Sequence, residues 1–313
     1  MHFSERRCAL ALKGHMKILD FGSLNIDRVY TVKDFVRPGE TISSLRLDNF
    51  CGGKGLNQAI ACKKAGSDVY MAGKVGTDGS MLTDLLKAYD VNTENVIVDP
   101  DTPSGHAIIQ VDHTGQNNII LFGGTNRKIS HDDVDAILSK FDKGDILLLQ
   151  NEISSLDYIL EKAHDKGMVI AMNPSPMDDY LLGCDLGKVS YFIMNEIEAA
   201  AISGCMDPED AIKELHSRYP DSRLVITLGS DGVKYFDGEK TYSHGIYKVE
   251  TVDTTAAGDT FTGYFLNGVL TGMKADDILD MASKASRIAV SRNGAADSIP
   301  TKDEVLSSKL ELK

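Results

Sequence analysis

The sequence predicts a doubly wound α/β fold: a mostly parallel sheet covered by helices, with a small inserted β-sheet as a lid. Three observations predict it. Short apolar runs that stop abruptly at polar or glycine residues recur through the middle and C-terminal parts: DILLLQNE (145–152), MVIAMNPSP (168–176), VSYFIMNE (189–196) and RLVITLGSDG (223–232). Such runs fit strands buried on both faces. Helical patterns separate them. Two further stretches break the rhythm with alternation and turns.

From the N-terminus, residues 1–15 (MHFSERRCALALKGH) read as a leader or added extension, poorly ordered and outside the folded domain. Their apolar part is too short for a signal peptide and no cleavage site follows. The domain, 16–313, opens on MKILDFGS, a first strand. The stretch 27–50 and the stretch 104–123 alternate, the second around a hairpin turn at DHTGQNN. Both read as antiparallel lid segments at the ligand end of the main sheet, where a cover excludes water from chemistry.

Between them, CGGKGLNQAIACKKAG reads as a glycine junction entering a helix, with Ala59, Ile60 and Cys62 near its buried side. Leu156, Ile159, Leu160 and Ala163 share one face of a later helix. DPEDAIKELHSRY starts another, with Asp207 as N-cap and proline in the first turn. Ligands of open α/β sheets bind beyond the carboxyl ends of the strands. The residues ending the apolar runs, Glu152, Asn173, Asn195 and Gly229, are therefore the ones a ligand meets.

Composition excludes several classes. A chain of 313 residues with 42% apolar and 25% charged residues is ordinary for a globular domain. A formal charge of −13 argues against nucleic acid and anionic membrane surfaces as partners, though not against a small anionic ligand. Five scattered cysteines without a CxxC pair fit a reduced, cytoplasmic protein. The eight histidines show no metal-ligand spacing, and no apolar run approaches the roughly 18 residues of a membrane span.

The chain lacks a Walker loop and a GxGxxG, so P-loop and dinucleotide chemistry lose their main support. At GGKGLNQA (52–59), Gly52 and Gly53 permit close backbone approach, with Lys54 and Asn57 facing the ligand end. At VDTTAAGDTF (252–261), Ala256, Ala257 and Gly258 have almost no side chain and precede a helix. Bare N–H groups at a helix N-terminus form an anion site. Asp259 then stands where it can take a proton from an attacking hydroxyl. It equally suits a carboxylate that complements the helix dipole, and spacing does not decide between the two.

Four ordered blocks, GSLNID (22–27), GGKGLNQA (52–59), MNEIEA (194–199) and DTTAAGDTF (253–261), together with VITLGSDG (225–232), make residues 16–305 resemble the ribokinase/PfkB family of carbohydrate kinases. The resemblance implies transfer of phosphate from ATP to the primary 5-hydroxyl of D-ribose, with deoxyribose, a nucleoside or a ketose such as fructose as alternatives. A non-catalytic sugar-binding protein is a remote third reading. It implies Asp259 as catalytic base, and the backbone of Ala256, Ala257 and Gly258 as anion hole. Asn25, Asp27, Gly53, Lys54, Asn57 and Glu152 take the positions of sugar ligands. Asn195 and Glu198 match an N-x-x-E motif that organises Mg²⁺ and phosphate through water.

Thr227, Gly229 and Gly232 match the nucleotide loop, and Asp253, Thr255, Ala289, Arg292, Gly294 and Ser298 the surroundings of a monovalent cation, K⁺ by family precedent. The family also implies a homodimer formed through the lid. Two departures, Leu56 in place of a small residue and Cys51 ahead of the glycines, are expected to bear on the shape of the sugar pocket.

Overall fold

The computed structural model describes residues 16–313. The 1–15 extension lies outside the described residues. In chain order the strands are β1 (Ile18–Phe21), β2 (Asn25–Thr31), β3 (Arg46–Gly52), β4 (Val69–Gly76), β5 (Asn92–Asp99), β6 (Gly105–Val111), β7 (Asn117–Phe122), β8 (Ile146–Gln150), β9 (Val169–Asn173), β10 (Tyr191–Asn195), β11 (Arg223–Thr227), β12 (Val233–Phe236) and β13 (Thr241–His244). The helices are α1 (Lys54–Lys64), α2 (Ser80–Ala88), α3 (His131–Leu138), α4 (Leu156–Lys166), α5 (Asp179–Leu182), α6 (Glu196–Ser203), α7 (Pro208–Arg218), α8 (Ala257–Leu270), α9 (Ala275–Val290) and α10 (Lys302–Ser307). None is long and apolar enough to cross a membrane.

The main sheet has nine strands in the order β13-β12-β11-β10-β9-β8-β1-β4-β5. It is parallel from β5 to β11, and β12 and β13 add an antiparallel edge. Successive side chains of a strand point to opposite faces, and here both faces are covered. Ile18, Leu148, Ile193 and Val225 join the core beneath α1, α8 and α9. Leu19, Phe21, Leu147, Leu149, Phe192 and Ile226 join the core on the other face, with Leu156, Ile159, Leu160 and Ala163 of α4. The four-residue apolar face read from the sequence of α4 is thus fully buried.

Helix α1 is buried around almost its whole girth, from Gly55 to Cys62. The cause is α8, which lies against it so closely that a Cβ on Gly263 would stand 2.5 Å from the Ala61 backbone. Small residues at this crossing let the two backbones approach, which brings the first turns of both helices to the same end of the sheet.

The lid is a separate four-stranded sheet in the order β3-β2-β6-β7. The expectation of an antiparallel insert holds for β2–β3 and β6–β7 but not for the central pair, because β2 and β6 are parallel. The reason is topological. Strands β2 and β6 follow β1 and β5 directly, and β1 and β5 both run parallel to β4, so their continuations leave the sheet in the same sense. The hairpin turn lies where DHTGQNN places it: Asp112 Oδ1 accepts from Thr114 N (2.8 Å) and Gln116 N (3.1 Å), and Gly115 takes φ 83°.

Candidate active site

The polar ends of the central strands stand in register, Gln150 beside Asn173 and Asn195 beside Thr227. The lid rises from the same end of the sheet, and α1 and α8 point their first turns there. Asp259 occupies the first turn of α8 and is buried. The helix starts from Ala256 in the left-handed region (φ 58°) with no side-chain cap. Ala257 N makes a long bond to Thr254 O (3.3 Å), and nothing lies within 4 Å of where a Gly258 Cβ would stand. The uncapped first turn leaves backbone donors and the positive end of the helix dipole facing open space.

Asp259 is held from α1. Its Oδ1 accepts from Gln58 Nε2 (2.9 Å) and its Oδ2 from Asn57 Nδ2 (3.3 Å). Burial lifts its carboxyl above the ordinary aspartate value, opposed by the charge of Lys54 and by the two amide donors. A buried carboxylate so raised is a better proton acceptor than an exposed one.

The predicted sugar residues converge beneath the lid. Asn25 Oδ1 accepts from Asn126 Nδ2 (2.7 Å), which leaves the Asn25 amide nitrogen for a ligand. Glu152 Oε2 accepts from the Ser23 hydroxyl and from Lys54 N (3.2 Å). Asp27 is pushed up to about 6 by burial and by the neighbouring charge of Glu152. Room for it depends on Gly52, where a Cβ would stand 2.2 Å from Asp27 Oδ2. Gly53, at φ 100°, turns the chain against the Asn25 backbone. Two carboxylates and two amides in one cluster can accept and donate to adjacent hydroxyls of a polyol. The Asn57 Oδ1 atom, buried and unpartnered, adds a further acceptor.

A second space opens on the far side of Gly258. A cavity of about 490 Å³ is lined by Thr227, Gly229, Gly232, Ala257 and Gly258, together with Phe261, Ser286 and Arg287. The three predicted loop residues therefore share one cavity with Ala257 and Gly258 at the start of α8. Gly232, at φ 95°, tolerates no side chain: its Cβ would lie 2.1 Å from His244 O. Arg287, unassigned from the sequence, is tied to Tyr247 O (3.0 Å), and its charge enters the cavity wall.

Asn195 and Glu198 form a capping box on α6: Asn195 Oδ1 accepts from Glu198 N (2.9 Å), and Glu198 Oε2 from Asn195 N (3.0 Å). The N-x-x-E spacing thus has a complete structural role, and the cap leaves Glu198 Oε1 for a ligand. Around Asp253 the carboxylate accepts from Thr255 N (2.9 Å) and Gly294 N (3.0 Å), and Val290 O accepts from Asp253 N. These bonds bring 253–255 against 289–294. Ala289 O accepts from Arg292 N (3.0 Å), while the Arg292 guanidinium turns away to Glu304 (2.7 Å) and the Ser298 hydroxyl to Ala295 O (2.7 Å). Among the described residues no group of three or more His, Cys, Asp or Glu could hold a metal.

Leu56 is fully buried in the core, and Cys51 donates its thiol to Met81 O (3.5 Å), pushed up to about 11 by burial beside Asp27 and Asp297. Sequence reasoning missed Ser23, Gln58, Asn126 and Gln150. Gln58 carried a signal, as a polar residue one turn after Lys54 in a helix otherwise apolar toward its middle.

A carboxylate–amide cluster suited to a polyol and a cavity walled by glycine backbone and the Arg287 charge, meeting at one buried carboxylate, have the make-up of a small-molecule phosphotransferase site. The sequence profile of the pfkB family of carbohydrate kinases matches residues 16–302. A ribokinase of Bacillus subtilis is 34% identical, covering 91% of this chain and 96% of its own, and one of Schizosaccharomyces pombe is 36% identical, covering 93% and 96%. Among solved structures, the ribokinase of Cryptococcus neoformans in complex with ADP superposes with a TM-score of 0.83 at 32% identity, covering 93% of this chain and 99% of that one. The Arabidopsis thaliana ribokinase complexed with ribose and ATP superposes with a TM-score of 0.83 at 29% identity, over 94% and 98%. The chain belongs to the pfkB family of carbohydrate kinases and is an ATP-dependent sugar kinase.

Proposed function

We propose that the chain transfers the γ-phosphoryl group of ATP to the 5-hydroxyl of D-ribose, giving ribose 5-phosphate and ADP. The observation that carries this reading is the position of Asp259, bonded on one side to Asn57 of the sugar cluster and adjoining Gly258 of the nucleotide cavity on the other. Asp27, Asn25, Lys54, Asn57 and Glu152 hold the sugar hydroxyls. Asp259 takes the proton as the hydroxyl oxygen attacks. The N–H groups at 256–258 receive the negative charge of the transferring group, which costs no reorganisation because the helix start already presents them.

Thr227, Gly229 and Gly232 form the nucleotide wall. Glu198 Oε1 fits a Mg²⁺ that keeps most of its water, the usual manner for this ion with one carboxylate. Mg²⁺ neutralises phosphate charge when bound. The carboxylate and carbonyl oxygens of 253–255 and 289–298 are hard donors that suit a monovalent cation such as K⁺.

The β3-β2-β6-β7 sheet acts as lid and dimer surface. Its edge strand β7 exposes four consecutive apolar residues, with Ile120 at 65% and Leu121 at 64% exposure, an area that isolated soluble sheets seldom leave open. The scattered free thiols support a reducing, cytoplasmic setting.

Phosphorylation assays over ribose, deoxyribose, fructose and nucleosides test the reading. Ribose is expected to give the highest kcat/KM. Efficient turnover of a nucleoside with none of ribose would overturn it.

A further inference from the structure

Behind the site runs a chain of buried side chains that the proposed chemistry does not use. Asp20, in the middle of β1, has no exposure, and its strand neighbours in register are Met71 and Leu148. Its Oδ1 accepts from Gln150 Nε2 (3.0 Å), whose other hydrogen goes to Gln58 Oε1 (2.8 Å). Gln58 Nε2 in turn serves Asp259 Oδ1 (2.9 Å) and Asn173 Oδ1 (3.4 Å). Every amide hydrogen of the two glutamines is thereby used. Two acceptors are left without a donor, Asp20 Oδ2 and Gln150 Oε1, and both are buried. They belong to groups crowded against Gly22, where a Cβ would stand 2.1 Å from Gln150 Oε1 and 2.9 Å from Asp20 Oδ1.

We propose that Asp20 is carried in the folded protein as a neutral carboxylic acid, and that it is a positioning residue which fixes, through Gln150 and Gln58, the donor that Asp259 receives. The positioning role rests on the reading of Asp259 as base.

A single proton on Asp20 Oδ2 removes the charge and turns that orphan acceptor into a donor, on a residue already hydrogen-bonded to Gln150, whose Oε1 lacks one. An ionised Asp20 would keep a full charge at zero exposure with one hydrogen bond, which is the costly arrangement. The titratable groups facing Asp20 are Asp259 on α8 and the Cys62 thiol on α1, and neither brings positive charge. Lys54 faces Asp259. Burial and the charge of Asp259 both push the Asp20 carboxyl up, against the Gln150 bond.

The amide chain has two senses. In the one observed, Asp20 Oδ1 takes the first hydrogen, and nitrogen ends the chain at Asp259. In the reverse sense Gln58 would turn its carbonyl oxygen toward the base, which ionised Asp259 repels. A carbonyl-type acceptor at position 20 anchors the productive sense from the far end.

Three variants test this: Asp20→Asn, Asp20→Leu and, should the leucine variant not fold, Gln150→Met. Infrared spectra at neutral pH are expected to show a carboxylic-acid C=O band that Asp20→Asn removes. Asparagine keeps the acceptor and replaces O–H by N–H. It therefore holds kcat within about threefold of wild type, the size of a small hydrogen-bond adjustment.

Asp20→Leu and Gln150→Met lower kcat about tenfold and move the acid limb of the kcat profile up by about one pH unit, the scale of one charge-assisted hydrogen bond. Ribose KM stays within about twofold, which separates positioning of the base from damage to the sugar site. The wild-type acid keeps its proton when folded and loses it when unfolded. The melting temperature of Asp20→Asn therefore gains on wild type as the pH rises from about 4 to about 8.

An infrared spectrum that Asp20→Asn leaves unchanged, or a melting difference flat with pH, would overturn the neutral acid. Asp20→Asn as slow as Asp20→Leu, or Asp20→Leu and Gln150→Met at wild-type kcat with an unmoved acid limb, would overturn the positioning role. Asp259→Asn with its rate retained would remove the base reading, and the infrared and melting results would still decide the state of Asp20.

Discussion

Gln58 Nε2 lies 2.9 Å from Asp259 Oδ1 and donates to it, joining residues 201 positions apart in the chain. One belongs to the helix that carries Lys54 and Asn57, the proposed sugar ligands, the other to the helix whose first turn is the proposed anion hole. The placement of Asp259 is therefore a matter of how α1 and α8 pack.

Asp259→Asn removes the proton acceptor while keeping the shape and the bond to Gln58 or Asn57. Its kcat is expected to fall at least about 10²-fold with ribose KM within a few fold, the usual scale for a general base. Steady-state kinetics with calorimetric ribose binding measures both. A near-normal kcat would remove Asp259 from the chemistry.

Gly263→Ala tests the helix crossing. The new methyl would meet Ala61 and Cys62 at 2.5 Å, so α8 must move from α1. Unfolding is expected to become easier by about 1–3 kcal/mol, the range for overpacking. Because Asn57 and Gln58 then lose register with Asp259, kcat falls by about tenfold or more. Denaturant melts and assays on the same preparation report the two effects together. Lost stability at wild-type kcat would show that the site does not depend on this contact.

Asp27 sets a pH dependence. With its carboxyl raised to about 6 by burial and Glu152, the folded protein binds this proton more tightly than the unfolded chain does. The stability it contributes is complete below the ordinary aspartate value near pH 4 and is lost as the pH rises through about 6. Asp27→Asn without ligand is therefore expected to gain melting temperature over wild type as the pH is raised from about 4 to about 6, and to hold that gain at higher pH. With Asp27 in its proposed role as a charged acceptor for ribose, wild-type ribose KM is expected to climb as the pH drops below about 6. A ribose KM constant across that range would mean that Asp27 does not ionise as described.

The proposed dimer through the lid edge has a direct test. Paired Ile120→Asp and Leu121→Asp changes place charges on its most exposed apolar residues. Wild type is expected to sediment at twice the chain mass of 34.0 kDa and the double variant at the chain mass. A double variant that remains dimeric would put the interface elsewhere.

The layered fold was legible because each central strand is buried on both faces and so reads as an unbroken apolar run. A helix end was legible where the cap is local, as at Asp207, whereas the Asn195–Glu198 pair, read from the sequence only as an N-x-x-E motif, turned out to be a capping box as well. The parallel β2–β6 pair was not, since alternation within a strand carries no information about the direction of its neighbour. Glycines 52, 53 and 258 announced close backbone approach, but only the fold shows that Gly52 makes room for Asp27.

The sequence by itself determined the strand–helix alternation, the uncapped run of small residues before Asp259 and the family those blocks define. Those are properties of neighbours along the chain, where periodicity and backbone freedom act. Tertiary structure decided what holds Asp259: Asn57 and Gln58 from α1, Gln150 from β8 and, at the far end, Asp20 from β1. Hydrogen-bond direction and the exclusion of water arise only when these distant segments pack together. A glutamine or a buried aspartate therefore gains its role from the partners that the fold brings to it.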